Sequence, residues 1–214
     1  MLIVGFAGYA GRGINPAAEI ADALDGERIG GRAVVGTVLP VDYASLRGRL
    51  ENLVERHSPR VVICLGLWPG EPVIRLERLG ANVNDFEIPD NEGRIASGPI
   101  EPSGPAARLS SLPLEDIQHR LLEAGIPARL SSSAGNFLCN ATLYSVLGIA
   151  EDRSIRGGFI HLPYLPSQVA EIVGSLKKEQ VLELHQRADL ASMSLETSLA
   201  AIRIAAEASL ETSG

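Results

Sequence analysis

Val61-Val62-Ile63-Cys64-Leu65-Gly66-Leu67 runs for seven residues without a polar side chain, between Ser58-Pro59 and Pro69-Gly70. Such a strand has no face to offer water, so it must lie in a sheet covered by helices on both sides. The neighbouring chain can supply them. Leu2–Ala7 reads as a buried strand, followed by a Gly-rich turn and a helix with Asn15 as cap and Pro16 in its first position. That helix places Ile20, Ala21 and Leu24 on one face and stops at Gly26. Ala33–Leu39 reads as a second strand, and Asp42 caps a helix carrying Leu46, Leu50, Leu53 and Val54. A helix opened by Glu115-Asp116 ends at Gly125, and Ile126–Ser132 forms the next strand, leading to a helix from Cys139 to about Gly148. Gly158–Leu162 is a further strand, and a last helix runs from about Ser194 to Leu210. The alternation predicts an α/β fold over residues 1–214: a single-domain α/β/α sandwich with a mostly parallel twisted sheet and helices on both faces. Between Pro69 and Pro113 the pattern breaks into Gly, Pro, Asn and Asp, an excursion expected to be functional or to hold short strands of its own.

Charge and cysteine usage narrow the function classes. The net charge of −7 leaves no basic stripe for phosphates, so a nucleic-acid partner is not expected. No apolar run is long enough to span a bilayer, and the N-terminus lacks the basic region of a signal peptide. Two distant cysteines make no disulfide framework, which points to a cytoplasmic protein. Neither Cys-x-x-Cys nor His-Glu-x-x-His occurs, so no metal site is expected.

The chemistry concentrates at Cys139 and His161, each read as lying where a strand runs out. A thiol and an imidazole so placed are the minimum of a cysteine hydrolase. The sulfur needs a lowered pKa, which a helix N-terminus and an imidazolium partner would both provide. A third group should orient the imidazole, and spacing alone does not choose among Glu71, Glu77, Asp85 and Glu87. Cys64, mid-strand, reads as a core thiol; His57 reads as a helix C-terminal residue, and His119 and His185 as solvated surface. The turn Gly5–Gly13 raises the alternative of a non-enzymatic phosphate- or nucleotide-binding protein. It matches neither Gly-x-Gly-x-x-Gly nor a P-loop, and Phe6 and Tyr9 suggest an aromatic wall instead.

Several separated segments together resemble the pyrrolidone-carboxylate peptidase (pyroglutamyl peptidase I) family of cysteine peptidases, nearly end to end. They include Gly5-Phe6 with Asn15-Pro16, Leu65-Gly66-Leu67 with Pro69-Gly70, Glu77-Arg78 with Asn82, and Ile88-Pro89-Asp90-Asn91-Glu92-Gly93. Ser133-Ala134-Gly135 with Cys139-Asn140, and Gly158-Phe159-Ile160-His161-Leu162-Pro163-Tyr164, complete the match. The resemblance implies Cys139 as nucleophile, His161 as base and Glu77 as third member. It also implies release of an N-terminal 5-oxoproline from blocked peptides, no cofactor, and a dimer or tetramer. Phe6, Tyr9, Leu67, Ile88, Phe137 and Leu138 fall where similar proteins bind the neutral lactam ring, which asks for apolar walls. This chain departs from the pattern at Glu71 and Glu87, where relatives commonly carry basic residues, at Tyr9-Ala10, and at Trp68. Acidic groups facing the thiol would raise its pKa, whereas pointing to solvent or pairing with basic residues such as Arg75 or Arg94 would keep them away from it. The same scaffold with specificity drifted to another small N-acyl or lactam amide is the alternative these departures leave open.

Overall fold

The computed structural model describes residues 1–9, 11, 13–180 and 190–211. A six-stranded sheet forms its centre, built from β1 (Leu2–Phe6), β4 (Val35–Leu39), β5 (Val61–Leu67), β6 (Ile74–Glu77), β11 (Ala128–Ser131) and β12 (Arg156–Leu162), in the order β11-β6-β12-β5-β1-β4. The last four strands in that order are mutually parallel, β6 and β11 are parallel to each other, and β6 pairs antiparallel with β12. The remaining strands form three two-stranded ribbons: β2 (Arg28–Ile29) with β3 (Arg32–Ala33), β7 (Leu79–Ala81) with β10 (Ala107–Leu109), and β8 (Asn84–Asp85) with β9 (Ser97–Gly98).

Helices α1 (Pro16–Leu24), α3 (Leu114–Glu123) and α6 (Leu195–Glu211) cover one face, and α2 (Tyr43–His57) and α4 (Leu138–Arg153) cover the other. The two-residue period of a strand divides its side chains between these layers. Ile63 and Leu65 of β5 enter the first core while Val62 and Cys64 enter the second. The apolar run is buried at all seven positions, as its composition requires. Asn15 and Asp42 cap α1 and α2 by accepting from the backbone N–H of Ala17 and Ala44. At Gly5 a Cβ would stand 2.1 Å from the Ala17 carbonyl oxygen, so that glycine lets α1 lie against β1.

Several boundaries differ from the sequence reading. The stretch 33–39 is broken at Val34, which hydrogen-bonds back to Glu27. Helix α4 continues past Gly148 to Arg153, and α5 (Pro166–Lys178) was not anticipated. The larger difference is that the excursion contributes β6 to the interior of the main sheet. Cys139 also does not follow directly on a strand: β11 ends eight residues earlier and runs opposite to β12, and the thiol lies in the first turn of α4. Ala10, Arg12 and His185 lie outside the described residues. Among the described residues no helix is long and apolar enough to cross a membrane.

Candidate active site

Strand alternation brings the reactive side chains onto the α4 side of the sheet. Ile74 and Leu76 of β6 enter the opposite core, so Arg75 and Glu77 point toward α4. In β12, Ile160 and Leu162 do the same, leaving Phe159 and His161 on the site face. Glu77 lies opposite Phe159 and diagonally from His161, within side-chain reach. His161 Nδ1 donates to Glu77 Oε1 at 2.8 Å, which leaves Nε2 free to act on a substrate or thiol. Both groups are buried, at 1% and 0% exposure.

Gly66 is the cross-strand partner of His161, and a Cβ there would stand 3.1 Å from Cys139 Sγ and 2.7 Å from the Phe159 ring. The sulfur therefore rests over bare backbone, in a space any side chain at Gly66 would close, and it lines the same pocket as the imidazole. Asn140 holds this turn of α4 in place. Its Oδ1 accepts from Ala81 N at 2.9 Å, and its Nδ2 donates to the carbonyls of Ala81 and Val83 at 2.8 and 2.9 Å.

Cys139 opens into a pocket of about 310 Å³. Phe6, Tyr9, Leu67, Ile88, Phe137 and Leu138 all line it, together with Asn15, Val41, Trp68 and Glu87. Phe137 packs on Phe86 with ring centroids 4.6 Å apart, and Tyr9 lies 6.2 Å from Phe137, so one wall is a supported aromatic surface. Trp68 meets His161 edge-on at 5.0 Å, while Phe159 lies 4.7 Å from the imidazole on another side. Glu71 does not line the pocket. It is buried in ion pairs with Arg75 at 3.0 Å and Arg129 at 2.9 Å. Glu87 does line it, with its carboxylate 3.4 Å from Asn136 Nδ2. Asp85 is exposed and not among the lining residues. His57 ends α2, and His119 is exposed on α3 beside Glu123.

The electrostatics differ from the expected lowered thiol pKa. Cys139 is only partly exposed, and its thiol is pushed up to about 12, first by burial and then by the charge of Glu77; its own backbone N–H pulls the other way. Burial also lowers His161, outweighing the pull of Glu77. Burial pushes the Glu77 carboxyl up, but the hydrogen bond and charge of His161, with Ser131 and Arg75, more than offset it and hold the group below its ordinary value. These last two shifts oppose each other, since each charge favours the other. Burial decides the imidazole, while Glu77 keeps its charge because the permanently charged Arg75 donates Nε to Oε1 at 3.1 Å. At neutral pH the site thus holds a thiol, a neutral imidazole and a carboxylate. Cys64, fully buried, is pushed up further by burial. Among the described residues no group of three or more His, Cys, Asp and Glu is placed to hold a metal ion.

An α/β sandwich presenting a partly exposed thiol at a helix N-terminus, beside a carboxylate-held imidazole, has the layout of a cysteine hydrolase. The comparisons place it within that class among the cysteine peptidases. The family described as Pyroglutamyl peptidase matches residues 1–212, and this chain belongs to it. The pyrrolidone-carboxylate peptidase of Pyrococcus furiosus is 40% identical over 214 residues, covering 99% of this chain and 98% of the relative. That of Escherichia fergusonii is 40% identical over 177 residues, 82% and 83% of the two chains. The X-ray structure of pyrrolidone carboxyl peptidase from P. furiosus superposes with a TM-score of 0.89 at 40% identity, covering 98% of this chain and 97% of that one.

Arg75, Trp68 and Asn140 are the site residues that sequence reasoning did not assign. Trp68 had a signal in its oddity beside Pro69, and Asn140 in its place beside Cys139. Arg75 had one as a basic partner four residues from Glu71, but nothing local showed that it also reaches Glu77 and Trp68.

Proposed function

We propose that this protein removes an N-terminal pyroglutamyl residue from peptides through a thioester acyl-enzyme, with Cys139 as nucleophile, His161 as base and Glu77 as the group that orients it. The observation that carries this is the 2.8 Å contact of Glu77 with His161 Nδ1, which leaves Nε2 for the pocket that His161 and Cys139 both line. Nε2 takes the thiol proton as Sγ attacks the pyroglutamyl carbonyl, and delivers it to the leaving amine as the C–N bond breaks. Water then gives a proton to Nε2 while its oxygen attacks the thioester; the C–S bond breaks and Sγ recovers the proton. The first-turn N–H groups of α4 have no intrahelical acceptor and are suited to the oxyanion. The carbon-lined pocket suits a neutral lactam with no ammonium to neutralise. Phe6, Tyr9, Leu67, Ile88, Phe137 and Leu138 are its binding wall on this reading. The same reading makes the chain one peptidase domain acting on blocked peptides, in the cytoplasm and as a dimer or tetramer.

The test is a panel of chromogenic amides blocked by pyroglutamyl, acetyl, formyl, prolyl and cyclic imide groups. Cleavage of pyroglutamyl amide at least about 100-fold above the others in kcat/KM is expected on the reading that backbone groups at the pocket pair with the lactam N–H and carbonyl and are left unpaired by an analogue lacking them. Equal cleavage of another blocked amide would replace this substrate assignment with drifted specificity. The pH profile follows from the resting protonation state. With His161 acting as a neutral base, kcat/KM rises with pH through its depressed pKa, so the acid limb has its midpoint below the ordinary histidine value of 6.5. Activity then persists through neutral and mildly alkaline pH. A midpoint clearly above 6.5 would mean that Glu77 outweighs burial at the imidazole.

A further inference from the structure

The reaction just described leaves a buried cation beside the site unexplained. Arg75 is 6% exposed, and every arm of its guanidinium is engaged. Nε donates to Glu77 Oε1 at 3.1 Å and Nη1 to Glu71 Oε2 at 3.0 Å; Nη2 donates to Ser131 Oγ at 2.7 Å and to the Ser133 carbonyl at 2.8 Å. Its plane is stacked on Trp68, with Cζ 3.6 Å from the ring centroid. Glu71 in turn accepts from Arg129 Nε and Nη2 at 3.2 and 2.9 Å. The series Arg129, Glu71, Arg75, Glu77, His161 alternates in sign and ends on the imidazole. A guanidinium held at this many points cannot swing away, and it fixes Oε1 as the carboxylate oxygen that meets Nδ1. The same arginine braces Trp68, whose ring lines the pocket and abuts His161.

We propose that Arg75 is a positioning residue for the Glu77–His161 pair, and that Glu71 is the counter-charge that sets how strongly Arg75 acts on it. This rests on the reading of His161 as the base. The groups facing His161 are Glu77 and Arg75 from β6, Glu71 from the turn before it and Cys139 from α4, with Glu87 on the wall of the same pocket and Arg129 of β11 one ion pair farther away. Strand β5 brings only the un-ionised thiol of Cys64. Burial lowers the imidazole pKa, Glu77 raises it, Arg75 lowers it and Glu71 raises it. Removing Arg75 must therefore raise it, and removing Glu71 must lower it. A mere packing defect has no reason to move the two variants in opposite directions.

Trp68 makes this measurable without substrate. It is the sole tryptophan of the chain, and a protonated imidazole against an indole quenches its emission. Emission against pH in the full-length protein therefore reports His161, and His161→Asn should abolish the step. Relative to the wild type, Arg75→Gln should move the midpoint up and Glu71→Gln should move it down, each by about half a pH unit or more. Arg75→Lys keeps the charge but not the fork. It should leave the midpoint near the wild-type value while lowering kcat roughly 10-fold at unchanged KM. If Arg75→Gln does not fold, Arg129→Gln, at a half-exposed side chain, should also move the midpoint up. Midpoints that shift in the same direction in the Arg75 and Glu71 variants, or in neither, overturn the assignment, as does a fixed or lowered midpoint in Arg129→Gln. A wild-type protein that leaves pyroglutamyl amides intact would refute the substrate reading instead, and the emission titration would still decide the role of Arg75.

Discussion

Replacing Cys139 with alanine is expected to lower kcat for pyroglutamyl amides by about four orders of magnitude or more, to near background. The size follows from covalent catalysis: His161 and the α4 N-terminus remain, but no atom is left to form the thioester, and the binding pocket alone cannot replace it. The expected loss is catalytic and not structural. Cysteine to alanine removes a single sulfur atom from a partly buried side chain, so the melting temperature should stay close to that of the parent. Alkylation gives a second measurement. The other cysteine, Cys64, is 0% exposed between β1 and β12, so a thiol reagent applied to the native protein should label Cys139 alone and inactivate it. Turnover by the alanine variant at the parental rate would remove Cys139 as nucleophile.

Glu77→Gln has the next largest effect, a loss of roughly 10³–10⁴ in kcat, by analogy with other acid–base triads in which the orienting carboxylate is replaced by its amide. The amide carries no charge to stabilise the imidazolium. If its NH₂ faces Nδ1 it also selects the tautomer that blocks Nε2. Unlike the cysteine variant, this one should also be destabilised, by about 3–5 kcal/mol, because it leaves Arg75 buried with only Glu71 as counter-charge. The two effects separate by pH. Glu77 is held below its ordinary value of 4.5 in the folded protein. Its contribution to stability is complete above that value and is lost as pH falls through the lower folded pKa. The difference in melting temperature between parent and variant should therefore be full at pH 7 and shrink in strong acid. Activity within tenfold of the parent would instead mean that the packing of Trp68 and Phe159 orients the imidazole unaided.

Much of the architecture was legible because long-range order follows from local burial. Val61–Leu67 has no polar side chain, and a strand that must be dry on both faces imposes helices above and below it. The caps Asn15 and Asp42 and the stops at Gly26, Ser58 and Gly125 were equally readable, since each acts within one or two turns of its own position. What escaped was β6. Ile74-Arg75-Leu76-Glu77 alternates apolar and charged residues, the pattern of a strand with one wet face, yet all four residues are buried. Its charged face is buried because Arg75 and Arg129 pair with Glu71 and Glu77, and Glu77 accepts from His161. Glu71, Arg75 and Glu77 share one local window, but Arg129 and His161 lie more than fifty residues away, so no local window shows that the face is closed.

The same distinction divides the candidate site. By itself the sequence determined that a sandwich would form, that Cys139 would meet a helix start and that His161 would fall near a strand end, because each is a statement about its own segment. Spacing alone left four carboxylates open and only the family resemblance named Glu77; the physical reason lies in the tertiary structure, where β6 enters the sheet antiparallel to β12 and sets Glu77 diagonally from His161. Only the tertiary structure decided that the thiol rests protonated, because burial outweighs the helix N-terminus. Glu71, four residues from Arg75 and far in sequence from Arg129, became part of a charge network for the same reason: a buried charge must find its partners in space, wherever they lie in the chain.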